Sequence, residues 1–366
     1  MKAGLVLTSI FVPDCLEGYR RNFTHYGHLE DVEVFMISDM KTPGKAWDLC
    51  TDLRRAGMNV HCVGLIEQEK FVQKLGLNAS MFPRNTDHRR NIGYLMALTK
   101  GVDFVISIDD DNYCQDGVDY FAEHAIVHST TYGALSVDSG WLNPCDRLET
   151  THLVYQRGFP YFARQHEFKI TQPMSSSGFA IHVNEGLWLG EPDLDALTWL
   201  VLPDKSVRHL GKSIVVAKDT WAPINSQNTA LRAEAVAAYY FIPMNPPVFD
   251  RFGDIFQGYF LQVVMKHLGG HLRVGTPIVE HRRNSHSYFE DARKELPCIE
   301  MLEVLLPWLT RECKLSGSNY CDAYESLAER LHEWSDSNFY WNIADDMKQW
   351  VKACRTIGVG VGKVAA

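Results

Sequence analysis

An α/β fold, a mainly parallel sheet flanked by helices, is predicted from two features of the chain. Short β-rich apolar bursts recur through the first hundred residues, and connections of helical length separate them. The bursts are Leu5-Val6-Leu7, Val32 to Ile37, Val60 to Val63 and Phe104 to Ile108. Between the last two, Asp87 to Thr99 carries Ile92, Leu95, Met96 and Leu98 and reads as a helix that feeds the Phe104 strand. Ligands in open α/β sheets gather at the carboxyl ends of strands, so the residues after Ile108 are the first place to look for chemistry.

From about Thr131 to Val279 the pattern changes to strand, long loop, strand, rich in Gly, Pro, Asn and Trp. This third is where a substrate pocket would be built, and Leu272 to Val279 reads as one of its strands. From Cys298 onward the chain turns helical. Tyr324, Leu327, Ala328, Leu331 and Trp334 share one face, as do Tyr340, Ile343, Met347, Trp350, Val351 and Cys354, and both stripes read as core contacts. Gly358-Val359-Gly360-Val361-Gly362 is expected to be a frayed tail. The resulting division is a catalytic unit over 1–290 and a helical region over 291–366 packed on it.

Composition narrows the function. The 366 residues are 46% hydrophobic and 22% charged, ordinary for a packed globular protein. A net formal charge of −9 disfavours nucleic acid and acidic membrane surfaces as partners, so a phosphate ligand must be held locally by a metal or a few arginines. No stretch approaches the roughly 20 apolar residues of a membrane span, and the start is too short for a signal peptide, which leads to a cytoplasmic reading. Nine scattered cysteines without a C-x-x-C pair read as reduced thiols, and a cysteine zinc site is not expected.

Asp109-Asp110-Asp111 crowds three carboxylates at the exit of a buried strand. Ionised together they repel, and a hard cation such as Mn²⁺ or Mg²⁺ relieves that repulsion while bridging to a diphosphate. His281, just past the Leu272 strand, is a candidate to complete the metal set with Asp109, Asp110 and Asp111. Arg89 and Arg90 open the helix before the acidic strand and are candidates for phosphate, as are Arg282 and Arg283. Thr8 and Ser9, at the end of the first strand, are candidates for base or ribose. Arg157 and Arg164 flank Gly158-Phe159-Pro160-Tyr161-Phe162-Ala163, a setting of rings and turns that preorganises guanidinium groups.

Several motifs stand in register with one another: Gly93-Tyr94, Ile108 to Asp111, Arg157-Gly158-Phe159-Pro160, Gly186-Leu187-Trp188-Leu189 with Pro192-Asp193 and Asp195, then Asn228, Arg251 with Asp254, and His281. Over roughly residues 85 to 290 the chain resembles the reversibly glycosylated polypeptides, also called UDP-arabinopyranose mutases. The resemblance implies a glycosyltransferase A-type fold and interconversion of the pyranose and furanose forms of a nucleotide-linked sugar, with neither flavin nor NAD. It also implies that Arg157 matches the arginine that becomes reversibly glycosylated, that Arg164 matches the second arginine of that motif, and that Asp193, Asp195 and Asp254 orient the guanidinium or accept a proton. Asn228 joins Thr8, Ser9, Arg89, Arg90, Asp109, Arg282 and Arg283 as a nucleotide-site candidate.

Two departures stand out. Plant members carry two aspartates after an Arg-aromatic dipeptide, whereas Arg251-Phe252-Gly253-Asp254 keeps only the second. A Ser-Lys-Ala run after the histidine is replaced by Arg282-Arg283-Asn284. These differences favour the microbial relatives that act on GDP-galactose or GDP-fucose, with UDP-arabinose as the alternative substrate. Competing readings are a glycosyltransferase that passes the sugar to a separate acceptor, and a noncatalytic partner subunit of the same fold. Homo-oligomerisation is left open.

Overall fold

Phe104–Ile108 has no solvent exposure at either aromatic or aliphatic positions, as expected of a strand covered on both faces. The computed structural model describes residues 1–164, 167–246, 248–284 and 287–360. The four predicted bursts form strands Ala3–Ser9, Val32–Ser38, Asn59–Val63 and Phe104–Ile108, paired in parallel with Ala3–Ser9 between Phe104–Ile108 and Val32–Ser38. Helices Cys15–Tyr26, Gly44–Arg55, Leu65–Lys74 and Arg90–Thr99 make the crossovers and cover the sheet. The predicted helix from Asp87 starts three residues later, because Asp87–Arg89 forms a 3₁₀ turn.

Gly93 explains how closely that helix sits on the sheet. A Cβ there would lie 2.4 Å from Val6 Cγ1, so only glycine allows this approach. Beside it, Tyr94 is fully buried and its hydroxyl lies 2.8 Å from Ser107 Oγ.

Beyond Phe104–Ile108 the sheet turns mixed. Asn228–Arg232 runs antiparallel to it, Met174–Gly190 antiparallel to Asn228–Arg232, and His271–His281 parallel to Met174–Gly190, with Ile214–Val215 at the edge. The expected Leu272 strand is thus longer at both ends. Asn112–Cys114 pairs antiparallel with Val279–His281, which sets His281 opposite Asn112.

The C-terminal helices are Tyr288–Pro307, Tyr320–Trp334 and Asn338–Ile357. Both predicted stripes face the core: Tyr324, Leu327, Ala328 and Leu331 are buried, Trp334 is half-buried and stacked on Trp308 at 4.7 Å, and the second stripe is buried throughout. Trp350 Nε1 donates to Val236 O at 3.2 Å, tying the last helix to the 3₁₀ segment Ala233–Ala238. The expected frayed tail needs correction at its start. Gly358, at φ 96°, caps the helix in the left-handed region, Val359 N donates to Cys354 O at 2.9 Å, and Val359 packs on the core. Val361 and Gly362 lie outside the described residues. No described helix is long and apolar enough to cross a membrane, and all nine cysteines are free thiols.

Candidate active site

A cleft of about 620 Å³ opens at the carboxyl ends of the parallel strands. Its lining brings together Asp109, Asp110 and Asp111 with Arg157, Asp193 and Asp254, and with His281 and Arg283. The acids sit there because the strand stops at Ile108, where Asp109 N is drawn to Gln227 O at 3.1 Å. His281 reaches them from the far side of the sheet through the Asn112–His281 register, and Arg282 N completes the junction on Asp111 O at 2.9 Å.

The three carboxylates have different partners. Asp109 Oδ1 accepts from Arg90 Nη2 at 2.6 Å. Arg90 is itself buried, and its Nη1 donates to Ser226 O at 3.0 Å and Ser226 Oγ at 2.9 Å. Burial holds the Asp109 carboxyl above the usual range despite that guanidinium. Asp110 accepts a short hydrogen bond from Ser9 Oγ, and burial pushes it up to about 6. Asp111 behaves oppositely. Burial would raise it, but His281, whose Nε2 lies 3.4 Å from Asp111 Oδ2, outweighs that and keeps it low.

The expected ligand set Asp109, Asp110, Asp111 and His281 is therefore not assembled around one point. Among the described residues, no three His, Cys, Asp or Glu side chains converge on a metal position. Asp109 is turned to Arg90, while Asn284 Nδ2 lies between the other two acids, 3.5 Å from Asp110 Oδ1 and 3.4 Å from Asp111 Oδ2. Carboxylate oxygens of Asp110 and Asp111, with the His281 imidazole beside Asp111, are donor types that suit a divalent cation, but they are not gathered on one point in this arrangement.

In the same cleft, Arg157 is almost fully engaged. Nε donates to Asp193 Oδ1 at 2.8 Å, Nη1 to Asp254 Oδ1 at 3.0 Å and, closer still, to the Arg251 carbonyl, and Nη2 to Asp254 Oδ2 at 2.6 Å. Burial would lower this guanidinium, but the paired carboxylates raise it well above its ordinary value, so it is a fixed cation. Asp193 is anchored in turn by Asn225 Nδ2 at 2.9 Å. Behind it, fully buried Glu185 accepts from Gln156 Nε2 at 2.6 Å, and burial pushes its carboxyl up to about 8.

The remaining sequence candidates divide. Thr8, Ser9, Arg89, Arg90 and Arg283 line the cleft. Arg89 is committed to Gln68 Oε1 and Phe82 O, each at 2.8 Å. Arg283 lies over the Trp199 and Tyr288 rings at 5.2 and 5.5 Å, and its buried Nη1 has no hydrogen-bond partner among the described residues. Arg282 instead points outward to Glu280 at 2.7 Å and over Tyr113. Arg164 and Asp195 pair at 2.8 Å outside the cleft lining, where Asp195 also caps the Ala196–Val201 helix through Thr198 N at 2.8 Å.

Asn228 is in the sheet interior, away from the cleft. It accepts from Tyr120 Oη at 2.7 Å, and a Cβ at Gly186 would come within 2.4 Å of its amide. The Gly186 and Asn228 motifs are two halves of one packing contact.

Sequence reasoning missed Asp39, Asn85, Thr86 and Lys294, all in the cleft wall. Asp39 follows the strand Val32–Ser38, so the strand-end rule that found Ser9 could have found it; its carboxylate accepts from Asn85 N at 2.6 Å and Thr86 N at 3.3 Å. The motif reading names Arg251, but nothing local in the sequence marks its left-handed backbone at φ 70°, and nothing marks buried Glu185.

Fold and site together define an α/β protein with a largely parallel sheet flanked by helices, whose cleft joins acids at the end of a buried strand with a carboxylate-bound arginine. A family model described as "Reversibly glycosylated polypeptide" matches residues 57–359, and the chain belongs to that family. Among its relatives, probable UDP-arabinopyranose mutase 2 of Solanum tuberosum and UDP-arabinopyranose mutase 1 of Arabidopsis thaliana are each 24% identical over 295 residues, covering 76% of this chain and 74% and 75% of theirs. The solved glucosyl-3-phosphoglycerate synthase from Mycobacterium tuberculosis superposes at TM-score 0.43 with 12% identity, over 86% of this chain and 82% of that one. A mannosyltransferase from Pyrobaculum calidifontis, in complex with GDP-Man and Mn²⁺, superposes at 0.38 with 10% identity, over 97% and 86%.

Proposed function

We propose that this protein is a nucleotide-sugar mutase that interconverts pyranose and furanose forms of an NDP-sugar, with GDP-linked hexoses favoured over UDP-arabinose. The observation that carries the reading is the shared cleft, which joins diphosphate-suited acids and arginines with the Arg157 cluster. Membership of the family and the names of its relatives support the same reaction class. The preference for GDP-hexoses rests on the departures at Gly253 and at Arg282-Arg283-Asn284.

Opening the bond from anomeric carbon to phosphate oxygen produces an oxocarbenium-like sugar and a nucleoside diphosphate. Arg283, and Arg90 behind Asp109, supply fixed positive charge for the diphosphate. A divalent cation held by Asp110, Asp111 and His281 would neutralise part of that charge. At the sugar end Arg157 keeps Asp193 ionised and holds both oxygens of Asp254 in place, and these carboxylate oxygens can orient ring hydroxyls and take up a proton as a different hydroxyl closes the ring. The division at residue 290 leaves these groups in the first unit but falls inside the helix Tyr288–Pro307, which itself brings Lys294 to the cleft, and nine free thiols suit a reducing compartment such as the cytoplasm.

The test is incubation of purified protein with GDP-galactose, GDP-fucose or UDP-arabinose and Mn²⁺, with ring isomers resolved by chromatography. A ring isomer formed without added acceptor supports the mutase. Release of nucleoside diphosphate only when an acceptor is supplied supports the transferase reading, and no conversion of any donor overturns both.

A further inference from the structure

Arg251 takes an unusual backbone conformation, and its carbonyl meets the guanidinium of Arg157 as a result. At φ 70° it is one of two described non-glycine residues in the left-handed region, and its oxygen accepts from Arg157 Nη1. A side chain with a Cβ does not hold that conformation unless its surroundings impose it. Those surroundings come from the C-terminal helix Tyr288–Pro307. Glu295, fully buried, accepts from Arg251 Nε at 2.9 Å with Oε1 and from Ala196 N at 2.7 Å with Oε2. Asp291, one turn earlier, is 3.5 Å from the same Nε.

The two bonds of Glu295 span the site. Ala196 opens the short helix capped by Asp195, next to Asp193, which binds Arg157 Nε. Two turns farther along, Glu303 accepts the backbone N–H groups of Tyr161 at 2.7 Å and Phe162 at 3.0 Å, fixing the other side of the Arg157 loop. A carboxylate is the acceptor these donors need, because an amide would present an N–H to one of them.

We infer that Glu295 is a positioning residue for Arg157, acting through the strained carbonyl of Arg251, and that the helix Tyr288–Pro307 is a working part of the active site. Its turnover test rests on the mutase reading; its structural test does not.

The experiment uses the full chain with Glu295→Gln, alone and combined with Arg251→Gly, since glycine accepts the left-handed region without an imposed partner. The single variant is expected to lose about 10- to 100-fold in kcat, the scale of a misplaced catalytic group, with KM within about twofold. Adding Arg251→Gly is expected to recover about tenfold of that loss. A crystal structure of Glu295→Gln is expected to have Arg251 at negative φ with the Arg157 bond to its carbonyl lost. Unchanged kcat, additive losses in the double variant, or an unchanged Arg251 conformation would each overturn the inference. If the unmodified protein converts no nucleotide sugar, the mutase reading fails while the Glu295→Gln structure still decides the coupling.

Discussion

His281 is gripped from both sides, with Nε2 3.4 Å from Asp111 Oδ2 and Nδ1 2.6 Å from the Glu191 carbonyl oxygen. A carbonyl accepts only, so Nδ1 carries a proton and Nε2 is the nitrogen aimed at the acids. Burial would lower this imidazole, but Asp111 and the Glu191 carbonyl raise it. The contact joins two distant parts of the chain and marks where the proposed cation would sit.

Asp111→Ala removes the acid that His281 and Asn284 both face. It is expected to abolish metal-supported isomerisation, a loss of at least about 10³-fold, while circular dichroism and thermal unfolding stay close to those of the parent. Full turnover in this variant would take the acidic cluster out of the chemistry.

For Arg157→Ala, the expected result is loss of isomerisation together with loss of any sugar adduct detectable by intact mass. The variant also leaves Asp193 and Asp254 without their cation, so a stability loss of about 3–5 kcal/mol is expected in denaturant unfolding. Isomerisation that survives in folded protein would remove Arg157 from the mechanism.

The two neighbouring arginines should separate cleanly. Arg283→Ala is expected to weaken GDP or UDP binding about tenfold, the loss of one charge-assisted contact of roughly 1.5 kcal/mol. Arg282→Ala, whose side chain lies outside the cleft against Glu280, should change affinity less than about twofold. Titration calorimetry with each nucleotide distinguishes them, and equal effects would refute the assignment of Arg283.

Glu185 gives a pH signature. Its carboxyl is raised from 4.5 to about 8 by burial, so the folded protein keeps a proton that the unfolded chain releases. Stability from this group is complete below pH 4.5 and declines as pH rises to about 8. Glu185→Gln should remove that decline, raising Tm relative to the parent at pH 8 by on the order of 2–4 °C. An identical pH slope in both proteins would show that Glu185 is ionised when folded.

Much of the fold was legible because the parallel half is built from local signals. Four apolar bursts of strand length with helical spacers carry their own pattern, and both C-terminal stripes repeat at helical period. The antiparallel insertion of Asn228–Arg232 was not legible, since a five-residue strand does not encode which neighbour it will pair with. Asn228 illustrates the consequence: its motif position marks packing against Gly186 inside the sheet, not a nucleotide contact.

The order of residues carries the chemical inventory: acids where a buried strand ends, two arginines among rings, a histidine after another strand. Folding assigns their partners. It turned Asp109 to Arg90, aimed Arg283 inward and Arg282 outward, and left no room at Gly253, where a Cβ would fall 2.3 Å from Ile242 O, for the second aspartate of the plant pattern. The physical reason is range. Strand and helix patterns arise from neighbours a few residues apart, whereas charge pairing, burial and steric exclusion depend on which distant segments the fold brings into contact.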